Sequence, residues 1–396
     1  MEGHNDGDLQ KEFDKRRMKR SRTTRRYNAR LRLCLSLYLF LLGSATAAAA
    51  VYGPQLLDQQ PTSGWSTYIS GAVGLLCMYW LLQICFPRWT WNGYGFVIPI
   101  KKAVLVTSCD TMLGYYLVKR MDNAISTVFA GTNNPEGELP KKLSVECTDR
   151  TVILPLDVTS DESVARAKEI MEQYLKKRNH DFWGIFNNAS VTLRGEIELT
   201  PVEVFKQAAE VNVYGMVRIT KAVLPQIRRT KGRIVNMHDM YGRFSVPGCA
   251  AYAMTKYAAE SFSDALRYEM HQWGVKVSVL EIDKLFAGIH DVISVQDSWD
   301  GMTETARRHY GKSYHDDRMA CWEREGKAGD NDLRPIVLSA IDGLWSRIPR
   351  ERYYVGGFKA QLKTYFYSTL PSTMIDKLIM RQYSPGVEQP AALTTH

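Results

Sequence analysis

The sequence predicts an α/β protein, a doubly wound parallel sheet preceded by two transmembrane helices. Short apolar runs rich in Val and Ile alternate with helix-length segments from about residue 100 onward. Two uncharged stretches of bilayer-spanning length come before them, and basic residues crowd on one side of both.

The elements follow in chain order. Residues 1–32 carry eleven Lys or Arg against five Asp or Glu, so +6 of the formal net charge of +9 lies in this tail. The rest of the 396-residue chain is close to balanced, and no nucleic-acid-binding module accompanies the basic tail, so no nucleic-acid partner is expected. With 45% hydrophobic residues the chain can bury a substantial core. Seven cysteines, odd in number and without a Cys-x-x-Cys pair, argue against a disulfide framework and against a zinc site. No metal is expected, and a reducing, cytosol-facing environment is the simpler home.

Residues 33–87 read as a transmembrane hairpin. Leu33–Val51 and Tyr68–Phe86 are apolar hearts of two uncharged runs, each about the ~20 residues that a helix needs to cross a bilayer. The connection Tyr52–Thr67 holds no Lys or Arg, whereas Arg88, Lys101 and Lys102 follow the second run, which places both ends in the cytosol. Ala45-Thr46-Ala47 resembles a signal-peptidase site, but the charged region before it is long and the second run would still anchor the product. Glu2, Asp6, Asp8, Glu12 and Asp14 do not suit a mitochondrial presequence. An intracellular membrane follows, the endoplasmic reticulum with the catalytic domain in the cytosol, or alternatively a mitochondrial membrane.

The soluble part opens with the buried strand Ala103–Thr107 and a helix through Arg120. Strands are expected at Thr127–Gly131, Val152–Val158, Gly184–Ser190, Gly232–Met237 and Val275–Ile282, with helices at Ser163–Lys177, Pro201–Arg228 and Tyr252–Gln272. Such alternation gives a parallel sheet whose ligand crevice lies at the carboxyl ends of the strands. On the last helix Tyr252 and Lys256 stand four residues apart on one face, so the ammonium is expected beside the phenol, favouring its ionised form near neutral pH.

In order, these features resemble the short-chain dehydrogenase/reductase family over residues 100–285, with a Rossmann-type fold. The match consists of the Thr-led turn after strand one, Leu156-Asp157-Val158, Asn187-Asn188-Ala189, Asn212, then Tyr252 and Lys256. Thr107-Ser108-Cys109-Asp110, Glu260–Asp264 and Arg352–Gly357 are similar more specifically to the membrane-bound retinol and hydroxysteroid dehydrogenase branch, which includes the hydroxybutyrate enzymes.

The resemblance implies that Tyr252 is the acid/base, that Lys256 serves both its phenol and the cofactor ribose, and that Asn212 positions a helix and a relay water. It implies that the Thr107–Gly114 loop, with Ser108, Met112 and Gly114 at the three glycine positions, meets the pyrophosphate. Asp157 would meet the adenine, and Asn188 and Ala189 would line the cofactor. Asp239 stands where the family has its catalytic serine; an ionised carboxylate cannot donate a hydrogen bond and opposes a phenolate. Ser190 replaces the glycine after Asn187-Asn188-Ala189, and Ile282-Asp283 replaces Pro-Gly. Gly131-Thr132-Asn133-Asn134 offers no Arg or Lys to a ribose phosphate, so NAD is expected over NADP.

Residues 286–380 are expected to form a substrate lid and membrane-associated extension, followed by a tail at 381–396. Phe358, Leu362, Tyr365, Phe366 and Lys359, Lys363, Lys377 within it suit a surface against membrane lipid, or equally a core helix or homodimer contact. Two functions stay open. One is a membrane-anchored oxidoreductase acting on a lipophilic steroid- or retinoid-class alcohol or ketone; the other is a catalytically weakened relative serving as a membrane binding or scaffold domain.

Overall fold

The computed structural model describes Gly74 and residues 95–393, with positions 125, 283–290, 293–298, 300–301, 328–331, 357, 384–389 and 391–392 outside the description. Apart from Gly74, the basic tail and both apolar runs also lie outside the described residues, and so does the expected hairpin. Among the described residues no helix is long and apolar enough to cross a membrane. Contacts divide the chain into Met1–Tyr94 and Gly95–His396, and the sheet with its helices belongs to the second unit.

β1 (Lys102–Val106) turns into α1 (Met112–Asp122); β2 (Thr127–Thr132) leads to α2 (Glu138–Glu146), and β3 (Thr151–Pro155) to α3 (Asp161–Arg178). β4 (Asp181–Asn187) and the short β5 (Val191–Thr192) precede α4 (Val202–Ala209), a π-helical turn at Glu210–Gly215 and α5 (Met216–Thr230). β6 (Arg233–Asp239) ends in a 3₁₀ turn, Met240–Gly242, before α6 (Ala250–His271) and β7 (Lys276–Ile282). Beyond lie β8 (Asp291–Val292), α7 (Glu304–Tyr310), α8 (Lys312–Lys327), α9 (Arg334–Trp345), β9 (Arg352–Val355), α10 (Phe358–Thr369) and α11 (Ser372–Tyr383).

Seven strands form one parallel sheet in the order β3-β2-β1-β4-β6-β7-β9. The order reverses between β1 and β4, the kind of switch point at whose carboxyl ends open α/β sheets take their ligands. Both faces are covered, which is why Ala103–Val106 of β1 reads as an unbroken apolar run. Leu113, Leu117 and Met121 of α1 pack with Ile336, Ala340 and Leu344 of α9 on one face. Met171, Ile219, Val223 and Leu266 close the other.

Two features depart from the expected string of elements. The helix expected over 201–228 is interrupted: one residue too many per turn at Glu210–Gly215 makes it π-helical there, and this turn carries Asn212 inward. The sheet also does not stop at residue 285. β9 comes from the expected extension and pairs with β7, Leu280 opposite Tyr353, while α9 fills the core behind it.

Candidate active site

β6 delivers Asp239 to its carboxyl end, and the first turn of α6 places Tyr252 against it. Tyr252 has no solvent exposure, Asn212 and Asp239 keep 2% each, and Lys256 keeps 3%. Tyr252 Oη donates to Asp239 Oδ2. Asp239 Oδ1 accepts the Tyr241 N–H at 2.9 Å, capping the 3₁₀ turn and fixing the carboxylate plane. Burial raises the Asp239 carboxyl, against the pull of Lys256 and of its hydrogen bonds. Burial and then the charge of Asp239 hold the Tyr252 phenol well above its ordinary range.

Lys256 does share the face of Tyr252, its Nζ 5.0 Å from the ring centroid. That ammonium donates to Ser190 Oγ at 2.9 Å. Burial lowers Lys256, and Asp239 partly restores it. The expected easing of phenol ionisation by Lys256 is thus outweighed: water exclusion and an adjacent carboxylate both disfavour a second negative charge. Asn212 spends its amide on protein, accepting the Val191 N–H at 2.7 Å and donating to the Val191 carbonyl and Thr255 Oγ1 at 2.9 Å each. It therefore pins β5 to α6, directly behind Tyr252, whose carbonyl accepts from Thr255 Oγ1 at 2.7 Å.

The turn after β1 is the second part of the crevice. Thr107 Oγ1 accepts the backbone N–H groups of Asn188 and Ala189 at 2.8 and 2.9 Å, tying β1 to β4 at the switch point. Thr111 caps α1 by accepting the Gly114 N–H at 3.2 Å and donates to the Ser108 carbonyl at 2.9 Å. Asn188 Nδ2 donates to both Ser108 O and Thr111 Oγ1 at 3.0 Å. Ser108 adopts φ of +51°, a left-handed conformation natural to glycine. A Cβ on Gly114 would overlap the Ser108 carbonyl oxygen, so close helix–turn packing demands glycine there. Met112 is 38% exposed and lies at the first position of α1.

This turn fits a dinucleotide pyrophosphate in its backbone, since the free N–H groups of the α1 terminus form an anion site. Asp110 Oδ1 and Asn188 Oδ1 are buried acceptors without a hydrogen-bond partner among the described residues, as donors on a bound ligand would require. Asp157 sits apart, two strands away at the end of β3. Its Oδ1 accepts the Thr159 N–H and hydroxyl at 2.8 and 2.7 Å, closing a local turn.

Sequence reasoning missed the charged layer behind Tyr252. Glu260, one turn beyond Lys256 on α6, pairs with Arg352 of β9 and with Arg243 at 3.0 Å; Arg352 also holds the buried Glu281 of β7 at 2.9 Å. His238 lies inside this layer, its Nε2 3.0 Å from Ser263 Oγ and its Nδ1 3.4 Å from Glu260. Burial, then Lys256, Arg352 and Arg243, keep His238 well below its ordinary range and neutral. The signal for this layer was Glu281 within the apolar strand end Val279-Leu280-Glu281-Ile282, because a buried Glu demands a partner. Over Tyr252 lie Met240, Tyr241 and Phe244, and Phe244 meets Tyr367 of α10 edge to face at 5.0 Å.

The description "short chain dehydrogenase" belongs to the family profile that matches residues 102–283. The D-beta-hydroxybutyrate dehydrogenase, mitochondrial, of Bos taurus is 34% identical over 334 residues, covering 81% of this chain and 96% of that protein. Estradiol 17-beta-dehydrogenase 2 of Mus musculus is 30% identical over 378 residues, covering 92% and 97%. A solved short-chain dehydrogenase from Streptomyces avermitilis shares the fold with a TM-score of 0.55 at 22% identity, over 72% of this chain and 98% of that one.

Proposed function

The chain belongs to the short-chain dehydrogenase family, and from that membership we propose a membrane-anchored oxidoreductase that acts on a lipophilic alcohol or ketone of the steroid or retinoid class. One observation carries the reading: Tyr252, Lys256 and Asn212 are buried together beside the switch-point crevice, where a reacting carbinol would meet the phenol. A bound nicotinamide supplies the hydride donor or acceptor. Tyr252 exchanges the substrate hydroxyl proton, and Lys256 serves the phenol and the ribose. Asn212 sets the backbone that a relay water would use.

The Thr107–Gly114 turn would hold the pyrophosphate, with Ser108, Met112 and Gly114 along it, while Asn188 and Ala189 line the nicotinamide side and Asp157 reaches the adenine. NAD is preferred over NADP, because Asn133 and Asn134 follow β2 where a ribose phosphate would need a cation. Residues 1–32 form a cytosolic tail and 33–87 a hairpin in the endoplasmic reticulum membrane, a mitochondrial membrane being the alternative. The sequence after 285, apart from α9 and β9, which complete the sheet and its core, would lie over the site and against lipid, and homodimerisation through an exposed face fits the family setting.

A second reading, a catalytically weakened scaffold, is favoured by the bond between Tyr252 and Asp239 and by the closed cover above it. Thermal denaturation of the full chain in detergent separates the two. NAD should raise the midpoint more than NADP, and a panel of hydroxysteroids and retinols should contain an oxidised member. No stabilisation by either nucleotide would overturn the enzyme reading.

A further inference from the structure

We propose that Asp239 is the terminal proton acceptor of this site, with Tyr252 passing a proton through to it rather than holding a phenolate of its own. This rests on the oxidoreductase reading above. The geometry is that of a relay: the Tyr252 hydroxyl hydrogen is directed at Asp239 Oδ2, and the opposite oxygen is immobilised by the Tyr241 N–H at 2.9 Å. A carboxylate so fixed cannot swing to meet a substrate, but it needs no motion to take the proton that it already accepts.

The surroundings set the sign. Burial raises the Asp239 carboxyl, and against it Lys256 on α6, the hydrogen bonds from Tyr252 and the Tyr241 N–H, and Arg194 after β5 favour the ionised form, while His238 on β6 is neutral. The Lys256 ammonium is engaged with Ser190, so a phenolate at Tyr252 would face Asp239 in a buried pocket. Two adjacent anions are excluded there, whereas one proton shared by the pair is stable.

The proton balance follows. In alcohol oxidation a bound oxidised nicotinamide would accept the carbinol C–H hydrogen as hydride, while the O–H proton moves to Tyr252 Oη and the former Tyr252 proton moves to Asp239 Oδ2. The pair begins with one proton and ends with two. Ketone reduction is the reverse and begins with two. Oxidation therefore requires ionised Asp239 and gains with rising pH; reduction requires protonated Asp239 and gains with falling pH.

The experiment uses the full chain in detergent, with Asp239→Asn, Asp239→Ser and Tyr252→Phe. Ultraviolet difference titration follows tyrosinate, the component lost in Tyr252→Phe being that of Tyr252. Removing the carboxylate should bring this component down in pH by about one unit or more in both Asp239 variants, and an unmoved component overturns the proposal with no substrate needed. With an oxidised alcohol, Asp239→Asn should lose about a hundredfold or more in oxidation while NAD stabilisation stays, and the solvent-isotope proton inventory should fall from two protons to one. Wild-type-like oxidation with an unchanged pH profile in Asp239→Asn overturns the relay alone. Absence of NAD stabilisation in the wild-type chain overturns the oxidoreductase reading beneath it.

Discussion

At Ser108 a side chain occupies a backbone conformation that costs an L-residue about 1–2 kcal/mol. Among the described residues its hydroxyl makes no hydrogen bond; the contacts run through its carbonyl, which accepts from Thr111 and Asn188. Ser108→Gly should therefore stabilise the chain by about 1 kcal/mol, read as a higher denaturant midpoint, and an unchanged or lower midpoint would show that the strain is absorbed elsewhere. His238 supplies a pH prediction. Its folded-state pKa is depressed, so the unfolded chain takes the proton first, and the stability that it contributes is full above the ordinary imidazole value of about 6.5 and lost as pH falls below it. His238→Gln should flatten that decline in thermal midpoint over this window. The residues of the proton site were legible because Tyr252 and Lys256 share a helical face at any burial. Their ionisation was legible in part: Asp239 was expected to oppose a phenolate and does, but the larger effect is burial, which only three-dimensional placement gives.

Strand and helix alternation was legible for the same reason that the sheet is stable: strands covered on both faces are buried from end to end, as Thr127–Thr132 is, and so are mostly apolar. The π-helical turn was hidden because one extra residue in a turn leaves an apolar periodicity nearly unchanged over so short a span. β9 was hidden because Arg352-Tyr353-Tyr354-Val355 carries a charge into the sheet. That charge is what docks the strand: Arg352 bridges Glu260 of α6 and Glu281 of β7. Arg352→Met keeps much of the volume and leaves two largely buried carboxylates with Arg243 alone. Breaking a buried pair costs on the order of 3–5 kcal/mol, so its thermal midpoint should fall steeply. Limited proteolysis should cut before α10 sooner than in the wild type; unchanged cleavage would mean that backbone pairing to β7 suffices.

For the whole molecule, the proposed hairpin carries a topological prediction, since the Lys and Arg around Leu33–Val51 and Tyr68–Phe86 would set its orientation. Tags at residues 1 and 396 should both be cleaved by protease added to sealed microsomes, and a glycosylation acceptor inserted near Gly64 should be modified. A protected carboxyl-terminal tag would invert the arrangement of the catalytic unit. The cover over Tyr252 has a consequence in time rather than in space. Under the proposed oxidation, a phenol with no exposure waits for its cover to open, and Phe244, which packs in the cluster of Tyr252 and meets Tyr367 edge to face, belongs to that cover. Chemistry would then be metered by friction: kcat should fall as a viscous co-solute is added, with KM for the alcohol moving less, and Tyr367→Ala should abolish that dependence by removing the slower of the two clocks.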